Sequence, residues 1–311
     1  MTRFDTAKQV GWNATGSVEA FYRAFNIGLD CAVSEVIRNG VYIGGYQDEP
    51  PWPGGTRAIA TFSCELEGGP GATKAIVHNP LINACGFDVD VSSGVALWHL
   101  GDPHPTTGEY VAADIIVNQD GLANYIEEAV GNVVFTFEGG KFATMDFAFE
   151  GNVTATYNGA TEAAIAALSA QGTPAMCQGY TLSVGPDGTT VAGLVCEKVT
   201  IDVGNVIGSR RDLNGDEGFG PPIIVKRDPR ITFLMEAPAI ATLNAENAWL
   251  DHTLWDFSFV HNTGGGANQV CTVTGSGRCA GFPKKVVSSG KIMYALELVN
   301  DPSVTLSMQW A

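Results

Sequence analysis

"VVFTFEGGKFATMDFAFEG", residues 133–151, alternates in character on both sides of a glycine pair. Side chains two residues apart share one face of a strand. In the second run Ala143, Met145, Phe147 and Phe149 therefore lie on one face, and Phe142, Thr144, Asp146, Ala148 and Glu150 on the other. The first of these is predicted to be the buried face.

The same reading extends outward. "VYIGG", "RAIATFSCELEG", "VALWHL" and "YVAADIIV" precede this stretch; "YTLSVG", "VAGLVCEKVTIDVG", "PPIIVKRDPRITFLMEA", "DFSFVHN", "NQVCTVTG", "KIMYALELV" and "VTLSMQW" follow it. All are alternating, or rich in β-branched and aromatic residues, and are separated by Gly, Pro and Asn. The chain is predicted to be mainly β. Two short helices interrupt it, in "NPLINACG" and "NAENAWLDHTLW", and Trp249 and Leu250 of the second are expected to pack onto the neighbouring sheet. The segment "NGATEAAIAALSAQGTP" separates two strand-rich blocks.

The order of elements repeats between those blocks. The first runs strand, Pro- and Gly-rich loop "YQDEPPWPGG", strand, helix, strands; the second runs strand, long loop "NVIGSRRDLNGDEGFGPP", strand, helix, strands. This predicts an N-terminal arm over 1–20, a β domain over 21–157, a linker over 158–178 and a second β domain over 179–311.

Composition narrows the function. The 311 residues, 45% hydrophobic, are enough for a substantial core, and a net charge of −16 argues against a basic groove that clamps nucleic acid. The seven cysteines contain no CxxC pair; Cys271 and Cys279 flank the turn-like "TVTGSGR", and a hairpin there would bring them face to face, a geometry that sequence does not establish. "MTRFDTAKQVGWNATGS" has no apolar run of a signal peptide, which predicts a protein soluble where it is made. The N-x-T sequons at Asn13 and Asn152 matter only on a secretory route.

No catalytic motif emerges. Asp212, Asn214 and Asp216 alternate like the first ligands of a calcium loop, but Glu217 stands where the turn glycine belongs and Ile223 where the last acidic ligand belongs. Alternating Asp and Asn before Gly favour tight turns without a metal. The five histidines are scattered, "GGPGATK" has Thr73 where a phosphate loop needs Gly, and no carboxylates can be paired as acid and base. Neither an enzyme, nor a metal, nor a cofactor is expected.

Several segments resemble the tail tube proteins of long-tailed bacteriophages. "EKVTIDVGN", "RRDLNG" and "IIVKRDPRITFLMEA" are similar to a strand ending in Gly-Asn, an Arg-Asp-x-Asn-Gly turn and a strand with a basic, Pro-containing centre. "TFSCELEGGPG", "NPLINACGF" and the "FEGGK" turn with its "MxFxFxG" strand add to the match, which spans nearly the whole chain after about residue 20.

The resemblance implies two tandem tail-tube-type β-barrels or sandwiches, each with a short α-helix. It further implies rings, trimeric or alternatively hexameric, stacked into a tube in the virion tail after assembly in the host cytoplasm. Partners would be other copies of the chain, the tape-measure protein and phage DNA in the lumen, and tail terminator and distal tail proteins at the ends, with no membrane. The tube would conduct DNA into the host through a negatively lined channel. The long loops would reach neighbouring subunits, making Arg210, Arg211, Asp212, Asn214 and Asp216, with Tyr46, Asp48, Glu49 and Trp52, the candidate contacts. The alternative is a receptor- or carbohydrate-binding β-sandwich of the virion, using Tyr46 and Trp52 as an aromatic platform.

Overall fold

The computed structural model describes residues 8–13, 21–36, 52–68, 78–92, 95–100, 111–119, 122–157, 174–186, 188, 190–208, 212, 220–238, 242–262, 270–288, 290–300 and 306–310. The described part is mainly β with antiparallel pairing throughout. In the first half the strands are β1 (Lys8–Asn13), β2 (Phe21–Tyr22), β3 (Phe25–Val36), β4 (Trp52–Glu65), β5 (Phe87–Ser92), β6 (Val95–Leu100), β7 (Ala113–Gln119), β8 (Leu122–Glu138) and β9 (Thr144–Tyr157). Helix α1 (Asn79–Ala84) precedes β5. The second half holds β10 (Ser183–Pro186), β11 (Val191–Ala192), β12 (Cys196–Asp202), β13 (Asn205–Gly208), β14 (Ile223–Arg227) and β15 (Arg230–Glu236). Helix α2 (Ala245–Leu250) follows, then β16 (Leu254–Asn262), β17 (Val270–Cys279), β18 (Lys284–Ser288), β19 (Lys291–Asn300) and β20 (Ser307–Trp310).

The β8–β9 hairpin obeys the alternation of its sequence. Ala143, Met145, Phe147 and Phe149 are buried, whereas Phe142, Asp146 and Ala148 are exposed. Its turn places Gly140 at φ +78°, which suits glycine. Along β8 the pairing partner on one edge changes: Leu122–Ala129 runs beside β7, and Val134–Glu138 beside β12. That switch joins the halves.

One layer reads β3-β4-β9-β8-β12-β15-β19-β18 in space. Its first four strands and its last four follow the same order: a first strand, the strand before the helix, then the second and first arms of a hairpin. The two sets even share a diagonal ion pair, Arg57 with Glu150 and Arg230 with Glu297 at 2.6 Å. Behind it a second layer runs β5-β6-β20-β17-β16-β10-β11. The buried faces meet through aromatic edges, Phe87 against Phe135 at 6.0 Å, Phe137 against Phe259 at 5.0 Å and Phe233 against Phe257 at 5.3 Å. The C-terminal strand β20 lies between β6 and β17, so the last residues are woven into the first half. The residues expected to form an N-terminal arm contain β1, which pairs with β7 and buries Trp12. Among the described residues the pairings nowhere return on themselves to close a barrel.

Two expectations are corrected. Cys271 and Cys279 lie on the same strand, β17, and do not oppose each other across a turn. Its glycines serve close approach: a Cβ on Gly275 would fall 2.7 Å from the Phe257 ring, and one on Gly277 2.5 Å from the Val299 carbonyl. Helix α2 ends at Leu250, so Trp255 belongs to β16, and α2 packs through Ala245 and Ala248. Leu250 is 62% exposed rather than packed on the sheet, while Trp249 meets Phe282 edge-on at 5.4 Å.

Candidate assembly interface

The joint between the halves begins with residues that alternate across two strands. Glu138 pairs with Lys198, Thr136 with Thr200 and Val134 with Asp202 on the open face. Phe135, Phe137, Val199 and Ile201 point the other way and are buried. Opposite charges on neighbouring strands favour this register, and a slip by one residue would turn the phenylalanines outward.

Beside the joint, β12 ends in Gly204 and Asn205, and the chain departs into the small β13–β14 ribbon. Gly204 has φ +66°, and a Cβ there would fall 2.2 Å from the Asp228 carbonyl oxygen, so glycine is required. Both polar atoms of the Asn205 side chain and its backbone N–H are hydrogen-bonded. Its Nδ2 donates to the carbonyls of Cys85 at 2.8 Å and Gly131 at 2.9 Å, its backbone N–H donates to Asn132 Oδ1, and its Oδ1 accepts from Arg227 Nε. Asn132 in turn donates to Asp202 Oδ1 at 2.9 Å. Arg227 Nη2 donates to the Gly86 carbonyl, where α1 ends. The root of the second half's long loop is thus fastened to the end of the first half's helix.

Of the candidate contacts, Arg210, Arg211, Asn214, Asp216, Tyr46, Asp48 and Glu49 lie outside the described residues. Asp212 is half-buried, and Trp52 opens β4 opposite Val36. The described geometry brings none of them together. Asn132, Asn205 and Arg227, which were not among the candidates, form the connected cluster. Their signal in the sequence was the Gly-Asn after "EKVTIDV" and the basic centre of "IIVKRDPRITF".

A cavity of about 330 Å³ borders the joint, lined by Phe137, Cys177, Tyr180, Leu182, Cys196 and Phe259 among others. Burial raises the Cys177 thiol and the Tyr180 phenol above their ordinary values and pushes Cys196 up to about 11. His261, whose Nδ1 meets the Tyr180 hydroxyl, is pushed down to about 4 by burial. These groups are uncharged at neutral pH, and thiol nucleophilicity needs the thiolate. Among the described residues no three His, Cys, Asp or Glu side chains are placed to hold a metal ion. No helix of the described residues is long and apolar enough to cross a membrane.

The eight-strand layer ends at β3 on one side and β18 on the other. Among the described residues β3 is paired only with β4, and β18 only with β19. Against known proteins, the chain matches no family model and no curated sequence.

Proposed function

We propose that this chain is a structural virion protein of the tail-tube kind, whose copies join edge to edge into rings that stack as a conduit for DNA. The observation that supports it is the β8–β12 joint, where one four-strand set hands on to another of the same order. A unit that joins its own kind head to tail inside a chain can repeat that junction between chains, and repetition with rotation closes a ring. Closure removes sheet edges that otherwise invite uncontrolled pairing.

The two four-strand sets are read as the wall-forming parts of tandem tube-type domains. Eight wall strands per chain give twenty-four for three chains. With strands about 4.8 Å apart and tilted by about 40°, such a wall is roughly 48 Å across. Six chains would double the diameter, so three are favoured. The second layer then lies outside. The lumen receives the open face of the first layer, where Arg57 and Arg230 are each answered by a glutamate while Asp146 and Asp30 add negative charge. Such a surface repels phosphates in keeping with the net charge of −16.

Electron microscopy of the purified protein at rising concentration tests the reading. Hollow rings or tubes with threefold symmetry are expected. A protein that stays monomeric at every concentration and binds glycans would replace it with the receptor-binding alternative.

A further inference from the structure

The β8–β12 joint also fixes how one copy would meet the next. The two four-strand sets can be matched on their shared ion-pair diagonal, Arg57 with Arg230 and Glu150 with Glu297. Pairing carries the match to the outer strands. Ala32 pairs with Arg57 as Asp202 pairs with Arg230, so β3 corresponds to β12. Thr136 pairs with Thr144 as Ser288 pairs with Lys291, so β18 corresponds to β8.

Burial shows what the corresponding edge lacks. In the first half the cross-strand pair Phe135 and Met145 is fully buried. Its counterpart, Val287 and Ile292, is 78% and 60% exposed. At the ends of the helices, Ala84 of α1 is fully buried beside the hydrogen-bonded carbonyls of Cys85 and Gly86, whereas Leu250 of α2 stands open. The second half therefore presents, uncovered, the apolar positions that the first half covers with the strand following it. Contiguous apolar side chains along an unpaired edge mark a contact surface.

We infer that β18 of one copy pairs antiparallel with β3 of a second copy in the register of the internal joint, placing Val286 opposite Ala32, Val287 opposite Cys31 and Ser288 opposite Asp30. This rests on the ring reading above and specifies its interface. Val287 would turn toward the core like Phe135, and Ser288 toward the lumen like Thr136.

Directly opposed residues of antiparallel strands have Cα atoms about 4.5–5.5 Å apart, within disulfide range, whereas diagonal neighbours stand farther off. Val287→Cys in the full chain should therefore form a disulfide with the native Cys31 of the next copy under mild oxidation of assembled rings. Non-reducing gels should show covalent dimers and trimers, with nothing above the trimer. The pair Asp30→Cys with Ser288→Cys repeats the test should the first variant fold poorly. Moving the partner two residues, with Val287→Cys, Leu29→Cys and Cys31→Ala together, should lower the yield several-fold. Rings seen by microscopy that give no in-register product, or equal yields in both registers, overturn this interface and leave the ring reading standing. Absence of rings overturns both.

Discussion

Asn205 is a single side chain that ties three segments: α1 through Cys85, β8 through Gly131 and β14 through Arg227. Asn205→Ala leaves two carbonyls and a guanidinium N–H without this partner, and an expected loss of about 1–3 kcal/mol follows. Asn205→Asp should cost at least as much, because a carboxylate cannot donate and would face two carbonyl oxygens. Urea unfolding of both variants checks the order; an Asp variant as stable as the native protein would contradict it. Glu67 makes a different prediction. It is almost fully buried beside Arg23 at 2.7 Å, and desolvation, partly offset by Arg23, pushes its pKa up to about 7. An acid whose folded pKa is raised loses protons more readily when unfolded, so its burial costs stability as pH climbs from about 4.5 toward 7. Glu67→Gln should remove that cost, a relative gain on the order of 2 kcal/mol at pH 7.5 that vanishes near pH 4. His78 and His261, pushed down by burial to about 3 and about 4, act oppositely and withdraw stability as pH falls below about 6.5. Melting temperatures of native and Glu67→Gln protein between pH 4 and 8 separate the two: the variant's advantage should appear only on the alkaline side.

Among the elements, β18 carries one side of the proposed interface between copies. Lys284 and Lys285 sit at its start, and Lys285 reaches Glu246 of α2 at 2.7 Å. Lysines on an edge strand discourage promiscuous pairing, while Val286 and Val287 remain for a specific partner. Val287→Lys should leave the unassembled fold intact, since the position is largely exposed, yet abolish ring formation. Sedimentation of the variant alongside circular dichroism checks both halves of that statement. Rings of normal size would count against the edge. The strands themselves were largely legible in the sequence, because a half-buried strand must alternate, as Phe142–Glu150 does. The ends of elements were less so. "NAENAWLDHTLW" has helical character throughout, but Asn244 caps the helix by accepting from the Asn247 N–H, and after Leu250 the chain turns at His252, φ +52°, into β16. Trp255 goes to the sheet because full burial there outweighs its helical propensity. Likewise "TVTGSGR" has the composition of a turn, but its glycines answer neighbouring atoms that only the packed fold brings near.

Over the whole molecule, the proposed ring with an acidic bore predicts passage without retention. Assembled tubes should not carry duplex DNA down in co-sedimentation at moderate salt. Asp146→Lys, changed on the open face in every subunit, should make them retain it at low salt and release it as salt rises. Binding by native tubes that is indifferent to salt would speak against an acidic lumen. The sequence by itself determined the β class, the two helices, the repeated element order and which strand faces are apolar. Each of these depends on periods of two or on local turn chemistry, which a linear chain displays directly. Tertiary structure alone decided that β8 changes partner midway, that β20 returns to the first half, that Asn205 and Arg227 clasp α1, and that among the described residues β3 pairs only with β4 and β18 only with β19. Those features join residues far apart in the chain, and no local pattern records which distant strand a given edge will meet.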